Sequence, residues 1–248
     1  MIYENAHIIG FLNKDEVILE VGIKMKGVFD QKSWIVVSKE LEKESLKLAS
    51  YDNVLIPLLG NLKGKKILDY GAGPGVLALA MKKLGAKVKV YDISPDMLRK
   101  AGAKIGNENV YEDIKDVPED YFDFVICNLV LCIVNDKEVE NIAKNIKKAL
   151  KNEGVVYIGF CNPKICDVKE SQLDFRFNNE KYEKNHVYKK IKKEGRYEIL
   201  EWHRPIDWYK KVYKKAGLKL IKEIFTPEYT LNKVKINDFI IFELKDEK

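Results

Sequence analysis

Long apolar runs are missing from this chain. None of its 248 residues falls in a stretch of ~18 or more consecutive apolar side chains, so no membrane-spanning helix is expected. The amino terminus carries His7 and early acids where a secretory leader would have a basic start and an apolar stretch. No secretory signal is therefore expected, and the chain reads as cytoplasmic. Arginine is scarce, with only Arg99, Arg176, Arg196 and Arg204 against forty lysines. The formal net charge of +6 is thus a weak argument for a nucleic-acid partner, because arginine is the residue preferred for bidentate reading of phosphates and bases. Cysteine is limited to Cys127, Cys132, Cys161 and Cys166, with no Cys-x-x-Cys pair. Zinc and dithiol redox motifs lose their spacing signal, no metal is expected, and the thiols read as reduced small apolar residues. Only His7, His186 and His203 are present, which narrows the choice of a histidine base. No internal repeat or low-complexity linker divides the sequence, so a single domain over 1–248 is expected.

What is present centres on Ile67-Leu68-Asp69-Tyr70-Gly71-Ala72-Gly73-Pro74-Gly75-Val76-Leu77. An apolar strand runs into a glycine-rich turn and out into a helix. A lone acid then follows on the next strand, in Val88-Lys89-Val90-Tyr91-Asp92. Strand, glycine turn, helix, strand, acid is the layout of a nucleoside-binding α/β domain. The glycines let backbone approach a ligand that a Cβ would block, and the acid can accept hydrogen bonds from ribose hydroxyls. A dinucleotide fingerprint needs glycines at the first, third and sixth positions of the turn. Counting from Gly71, the sixth position is Val76, so that pattern fails. Asp-x-Gly-x-Gly-x-Gly stands there instead, at Asp69, Gly71, Gly73 and Gly75.

Further signals follow in order. Ser94 and Pro95 open a capped helix. A short strand over 109–114 ends in acids, and an apolar strand runs through Phe122 to Leu131. The spacing of Val139, Ile142, Ala143, Ile146 and Leu150 predicts an amphipathic helix over 136–153, stopped by Gly154. Val155 to Phe160 reads as a buried strand, 205–216 as a helix ended by Gly217, and 218–225 and 239–244 as two more strands. Before the glycine motif, apolar runs at 8–12 and 17–21 suggest a hairpin or helix, and the stretch from Leu41 to Leu59 suggests helices covering the cleft.

These motifs, in this order, resemble the class I S-adenosylmethionine (SAM)-dependent methyltransferases, and in particular the small-molecule branch that includes quinone-biosynthesis enzymes. The resemblance covers residues 64 to 162 closely and the last quarter more loosely. It implies an α/β, Rossmann-like, doubly wound seven-stranded sheet, mostly parallel with an antiparallel last strand, with a helical N-terminal cap over 1–62 and an inserted lid. The SAM-binding core would span 63–161, the substrate lid 162–204, and the C-terminal helix and strand hairpin 205–248. SAM is the implied cofactor, with S-adenosylhomocysteine as its product. Gly71, Ala72 and Gly73 would line its methionine and ribose portion, with Asp69 orienting the loop or the amino group. Asp92 would accept from both ribose hydroxyls. Ile93 and Met97 would pack on the adenine, flanked by Asp113 and Ile114, and Asn128 and Leu129 would meet the methionine end.

The acceptor is a small molecule in this reading. The strand end Asn128-Leu129-Val130-Leu131 lacks the Asn-Pro-Pro-Tyr type of motif that base-modifying relatives often carry. His203 is the candidate general base, and Arg204 could hold an acceptor carboxylate bidentately. Tyr188, in the aromatic-rich lid, is a further candidate substrate contact. The competing reading is an RNA or protein methyltransferase that uses the basic run Lys189-Lys190-Ile191-Lys192-Lys193 of the lid.

Overall fold

Alternation of short apolar strands with amphipathic helices puts a parallel sheet at the centre of the computed structural model, which describes residues 53–165, 182–191 and 198–247. The main sheet has seven strands: β1 (Lys66–Tyr70), β2 (Lys87–Tyr91), β3 (Val110–Tyr111), β4 (Phe122–Asn128), β5 (Leu150–Cys161), β8 (Leu218–Phe225) and β11 (Phe239–Asp246). Their order is β3-β2-β1-β4-β5-β11-β8. β1 to β5 pair in parallel, and β11 lies antiparallel to both β5 and β8. β1 and β4 occupy the middle, and the buried run Ile67 to Tyr70 reflects cover on both faces.

Helices α1 (Val76–Lys83) and α2 (Pro95–Ile105), with helical residues 53–58, pack one face. Leu55, Leu59, Ile67, Met81, Val88 and Ile126 join in that core. Helices α3 (Asp136–Ala149) and α4 (Ile206–Lys215) cover the other face, where Leu68, Val125, Ile146, Phe160, Tyr213 and Phe242 meet. This two-sided winding is the expected fold. Among the described residues, no helix is long and apolar enough to cross a membrane.

Caps set the element ends much as the sequence suggests. Ser94 Oγ accepts from Met97 N, with Pro95 at the first helical position. Asn135 and Glu138 form a reciprocal capping box at the start of α3. The end of α3 differs from expectation, since the helix stops at Ala149 and β5 begins at Leu150. The carbonyls of Lys148 and Ala149 are taken by the amides of Asp120 and Tyr121 at 2.8 and 3.1 Å, which draws the chain out of the helix and into the sheet. Gly154 therefore works inside β5, where a Cβ would lie 2.7 Å from Leu150 Cδ1 and 2.8 Å from Lys151 O.

Two small hairpins lie outside the main sheet. β9 (Tyr229–Leu231) pairs with β10 (Val234–Ile236), and β6 (His186–Ile191) pairs with β7 (Glu198–His203). The sequence predicts neither hairpin. The second occupies the end of the expected lid. The expectations for residues 1–52, His7 included, fall outside the described residues, as does that for Cys166.

Candidate cofactor and acceptor site

Strand order reverses between β1 and β4, and such a switch point opens a crevice at the C-terminal ends of the parallel strands. The glycine turn fills the rim of that crevice. Its amides at Gly71 and Ala72 both donate to Tyr91 O, at 2.7 and 3.1 Å, tying the turn to the end of β2. Gly71 has φ +76°, and a Cβ there would collide with Val130 Cγ2 from the turn after β4. Gly73 has φ +53° with open space where a Cβ would stand. Gly75 is constrained differently: a Cβ would lie 2.9 Å from Ala101 Cα, so this glycine lets α1 and α2 approach.

Asp92 is fixed at the end of β2 by its neighbours. Its Oδ2 accepts from Gly73 N at 2.8 Å and its Oδ1 from Ser94 N at 2.9 Å. Burial pushes its carboxyl upward, and backbone donors at Ser94, Gly73 and Ile93 work against that push. Each carboxylate oxygen has capacity for a further donor, so the group is oriented and still able to accept from a diol. Ile93, next in sequence, is 62% exposed, an apolar surface that an aromatic ring could cover.

The other expected cofactor residues fall around this point. Asp69 is buried at the end of β1. Asp113 is exposed, and its side chain caps the turn at 114–116 by accepting from Lys115 N at 2.9 Å, leaving Ile114 half-buried behind it. Met97 is 1% exposed, so it belongs to the packing of α2 rather than to an open ring-binding surface. Asn128 closes β4 with its Oδ1 buried and without a hydrogen-bond partner. Leu129 follows with φ +57°, held there by its amide donating to Gly159 O at 2.8 Å. A left-handed leucine is uncommon and marks a turn shaped by its surroundings. An orphaned acceptor, a glycine opening and an exposed isoleucine beside an oriented carboxylate together fit SAM.

The acceptor side is built from long-range contacts. Arg204 has no exposed surface. Its Nε donates to Asp136 Oδ1 at 2.6 Å, Nη1 to Leu131 O at 2.8 Å and Nη2 to Val134 O at 2.5 Å. The guanidinium is committed to holding the turn after β4 against α3, which corrects the expectation that it binds a substrate carboxylate. Asp136 also accepts from Asn185 Nδ2 at 3.0 Å, just before β6. The Tyr182 hydroxyl accepts from Ile206 N at 3.1 Å.

His203 is 2% exposed, with Nε2 2.7 Å from Tyr182 O and its ring stacked 4.6 Å from that of His186. A carbonyl partner requires the proton on Nε2, making Nδ1 the basic atom. Tyr188 stands opposite Glu201 in the β6–β7 register, and its side chain lies outside the described residues. Sequence reasoning missed Asp136 and Tyr182 as anchors and Val130 as the wall behind Gly71. Asp136 is legible only as a helix start, because its partner is 68 residues away.

The sequence pattern of a methyltransferase-domain family matches residues 44–221. A ribosomal protein L11 methyltransferase of Dictyoglomus turgidum is 28% identical over 153 residues, covering 59% of this chain and 43% of its own. A demethylmenaquinone methyltransferase of Chlorobaculum tepidum is 36% identical over 95 residues, 38% of this chain and 39% of its own. This chain spans about two fifths of the length of the first curated relatives it matches. A crystal structure of a putative S-adenosylmethionine-dependent methyltransferase from Listeria monocytogenes aligns with a TM-score of 0.62 at 20% identity, over 81% of this chain and 99% of that one. At that identity the likeness is one of fold.

Proposed function

This chain belongs to the methyltransferase-domain family, and from that premise we propose that it moves a methyl group from SAM to an O, N or C atom of a small-molecule acceptor. The observation that carries the cofactor half is the Asp92 carboxylate, held by Gly73 N and Ser94 N beside the exposed Ile93. When bound, SAM supplies a methyl carbon activated by the adjacent sulfonium. The chain's own task is to orient and to exclude water, since an in-line displacement gains most from a fixed attack geometry.

Asp92 accepts from the ribose hydroxyls. Gly73 leaves room for the ligand to approach the protein backbone, and Asn128 Oδ1 offers an acceptor to the amino group of the methionine end. His203 is the candidate base, called on only where the acceptor arrives as a phenol or hydroxyl. The β6–β7 hairpin supports a small acceptor. Its β7 strand packs on the turn at 131–133, with Asn185 and Arg204 both bonded to Asp136, which puts it beside the segment that follows β4. Similarity to ribosomal protein L11 methyltransferases favours a protein acceptor as the second reading.

Transfer of radiolabelled methyl from SAM into a cell extract, followed by fractionation, separates the two. Label in the small-molecule fraction is expected. Label that precipitates with macromolecules and is released by protease or ribonuclease would overturn the proposed acceptor class.

A further inference from the structure

The cysteines carry no metal motif in their spacing, yet the fold gathers two of them with a carboxylate. Cys132 lies in the turn at 131–133 after β4, Cys161 is the last residue of β5, and Glu201 sits in β7. One ligand atom from each, two Sγ and one carboxylate oxygen, lie within 4.8 Å of one another. Glu201 is 2% exposed, Cys132 8%, and Cys161 is half-buried. Neither cysteine is in a disulfide. From this cluster we propose that Cys132, Cys161 and Glu201 form a binding site for one thiophilic divalent cation of the zinc class.

Ligand type and geometry select that class. Two thiolates favour zinc-like ions over magnesium or calcium, which take oxygen ligands. Zinc bonds to sulfur at ~2.3 Å in a tetrahedral site, which puts two sulfurs about 3.8 Å apart. From a spacing of at most 4.8 Å, closure needs shifts of about 1 Å or less, within the reach of χ1 adjustments. The three ligands come from three elements already fixed by other contacts. Cys161 is paired with Phe239 in the sheet, Cys132 lies in the turn closed by Ile133 N donating to Val130 O at 3.1 Å, and Glu201 is in register with Tyr188.

Three protein ligands leave one tetrahedral position for water or an acceptor atom, the arrangement of catalytic rather than structural zinc sites. The Cys132 thiol, which donates to Leu129 O at 3.5 Å, would give up that bond on becoming a thiolate. Binding would cross-link β5, the β4 turn and the β6–β7 hairpin. It converts two thiols to thiolates and releases their protons to solvent, about two per ion at neutral pH. The inference rests on the cluster alone and holds whichever acceptor is methylated.

Cobalt(II), a spectroscopic stand-in for zinc, tests it on the reduced full-length protein. One equivalent should give a thiolate-to-cobalt charge-transfer band and tetrahedral ligand-field bands, both abolished by competing zinc. Cys132→Ser and Cys161→Ser should each lose most of the charge-transfer intensity. Glu201→Gln should keep the band with affinity at least ~10-fold weaker. Each variant's fold is checked by the melting shift given by S-adenosylhomocysteine. Should a serine variant not fold, zinc protection of Cys132 and Cys161 from alkylation in the parent protein, mapped by mass spectrometry, decides the matter. No charge-transfer band in the parent, or a band and protection unrelated to Cys132 and Cys161, would overturn the proposal.

Discussion

At the ends of β1 and β2, the contacts that shape the crevice join residues close in sequence. Gly73 reaches Asp92 across 19 positions, and Ser94 reaches it across two. On the far side of β4, Arg204 reaches Asp136 across 68 positions and Asn185 reaches it across 49. The first region uses backbone amides and absent side chains to leave space. The second uses a buried cation and its carbonyl partners to fill space. One region is a rigid cradle written into a short motif, and the other is a cover assembled only when distant segments meet. Substitutions should therefore separate them, damaging cofactor binding on one side and stability on the other.

The largest expected effect is on the cover. Arg204→Ala strips donors from Leu131 O and Val134 O and leaves Asp136 without its cation, at a cost of about 4 kcal/mol. For a chain of this size that lowers the melting temperature by about 10 °C. Thermal unfolding measures it, and an unchanged melting temperature would show that the guanidinium is not the anchor. Gly71→Ala tests the cradle. The left-handed φ and the collision with Val130 together should cost about 3 kcal/mol and displace the turn after β4.

Asp92→Ala should leave the fold intact and weaken S-adenosylhomocysteine binding roughly 100-fold, about 2.7 kcal/mol, as expected for two hydrogen bonds to an ionised acceptor. The same group sets a pH dependence. Because burial raises the Asp92 carboxyl, ligand affinity is full above that raised pKa. It falls as the pH drops through it, above the usual carboxylate range. The ligand-free fold responds with the opposite sign. A carboxyl raised by folding favours the folded state below its unfolded pKa, and that contribution is lost as the pH rises through the folded pKa. Calorimetric titrations across acidic pH check the first, and Asp92→Asn should flatten the profile. Smallest is Tyr182→Phe, which removes the acceptor for Ile206 N and should cost about 1 kcal/mol, with ligand affinity unchanged.

The contrast also explains what the sequence could disclose. Asp92 is readable because a strand, a turn and a capped helix fix its place locally, and Ser94 and Pro95 behave as their residue types suggest. Leu68 and Val125 are readable as core because a central parallel strand must be apolar throughout. The end of α3 is not readable, since it depends on Asp120 and Tyr121 capturing its last carbonyls. Arg204 misleads for the same reason. An arginine after a histidine invites a ligand role, and only the fold reveals that it is fully buried and bonded to Leu131, Val134 and Asp136. The charged run Lys189-Lys190-Ile191-Lys192-Lys193 reads as a solvated surface, so the β6–β7 pairing is invisible until the register is seen.

Ligand-dependent melting most directly tests the claim that this edge is a SAM cradle and not a dinucleotide site. S-adenosylhomocysteine at about 100 times its dissociation constant should add ~2.7 kcal/mol and raise the melting temperature by roughly 5 to 10 °C, with no shift from NAD. A shift with NAD and none with S-adenosylhomocysteine would contradict it.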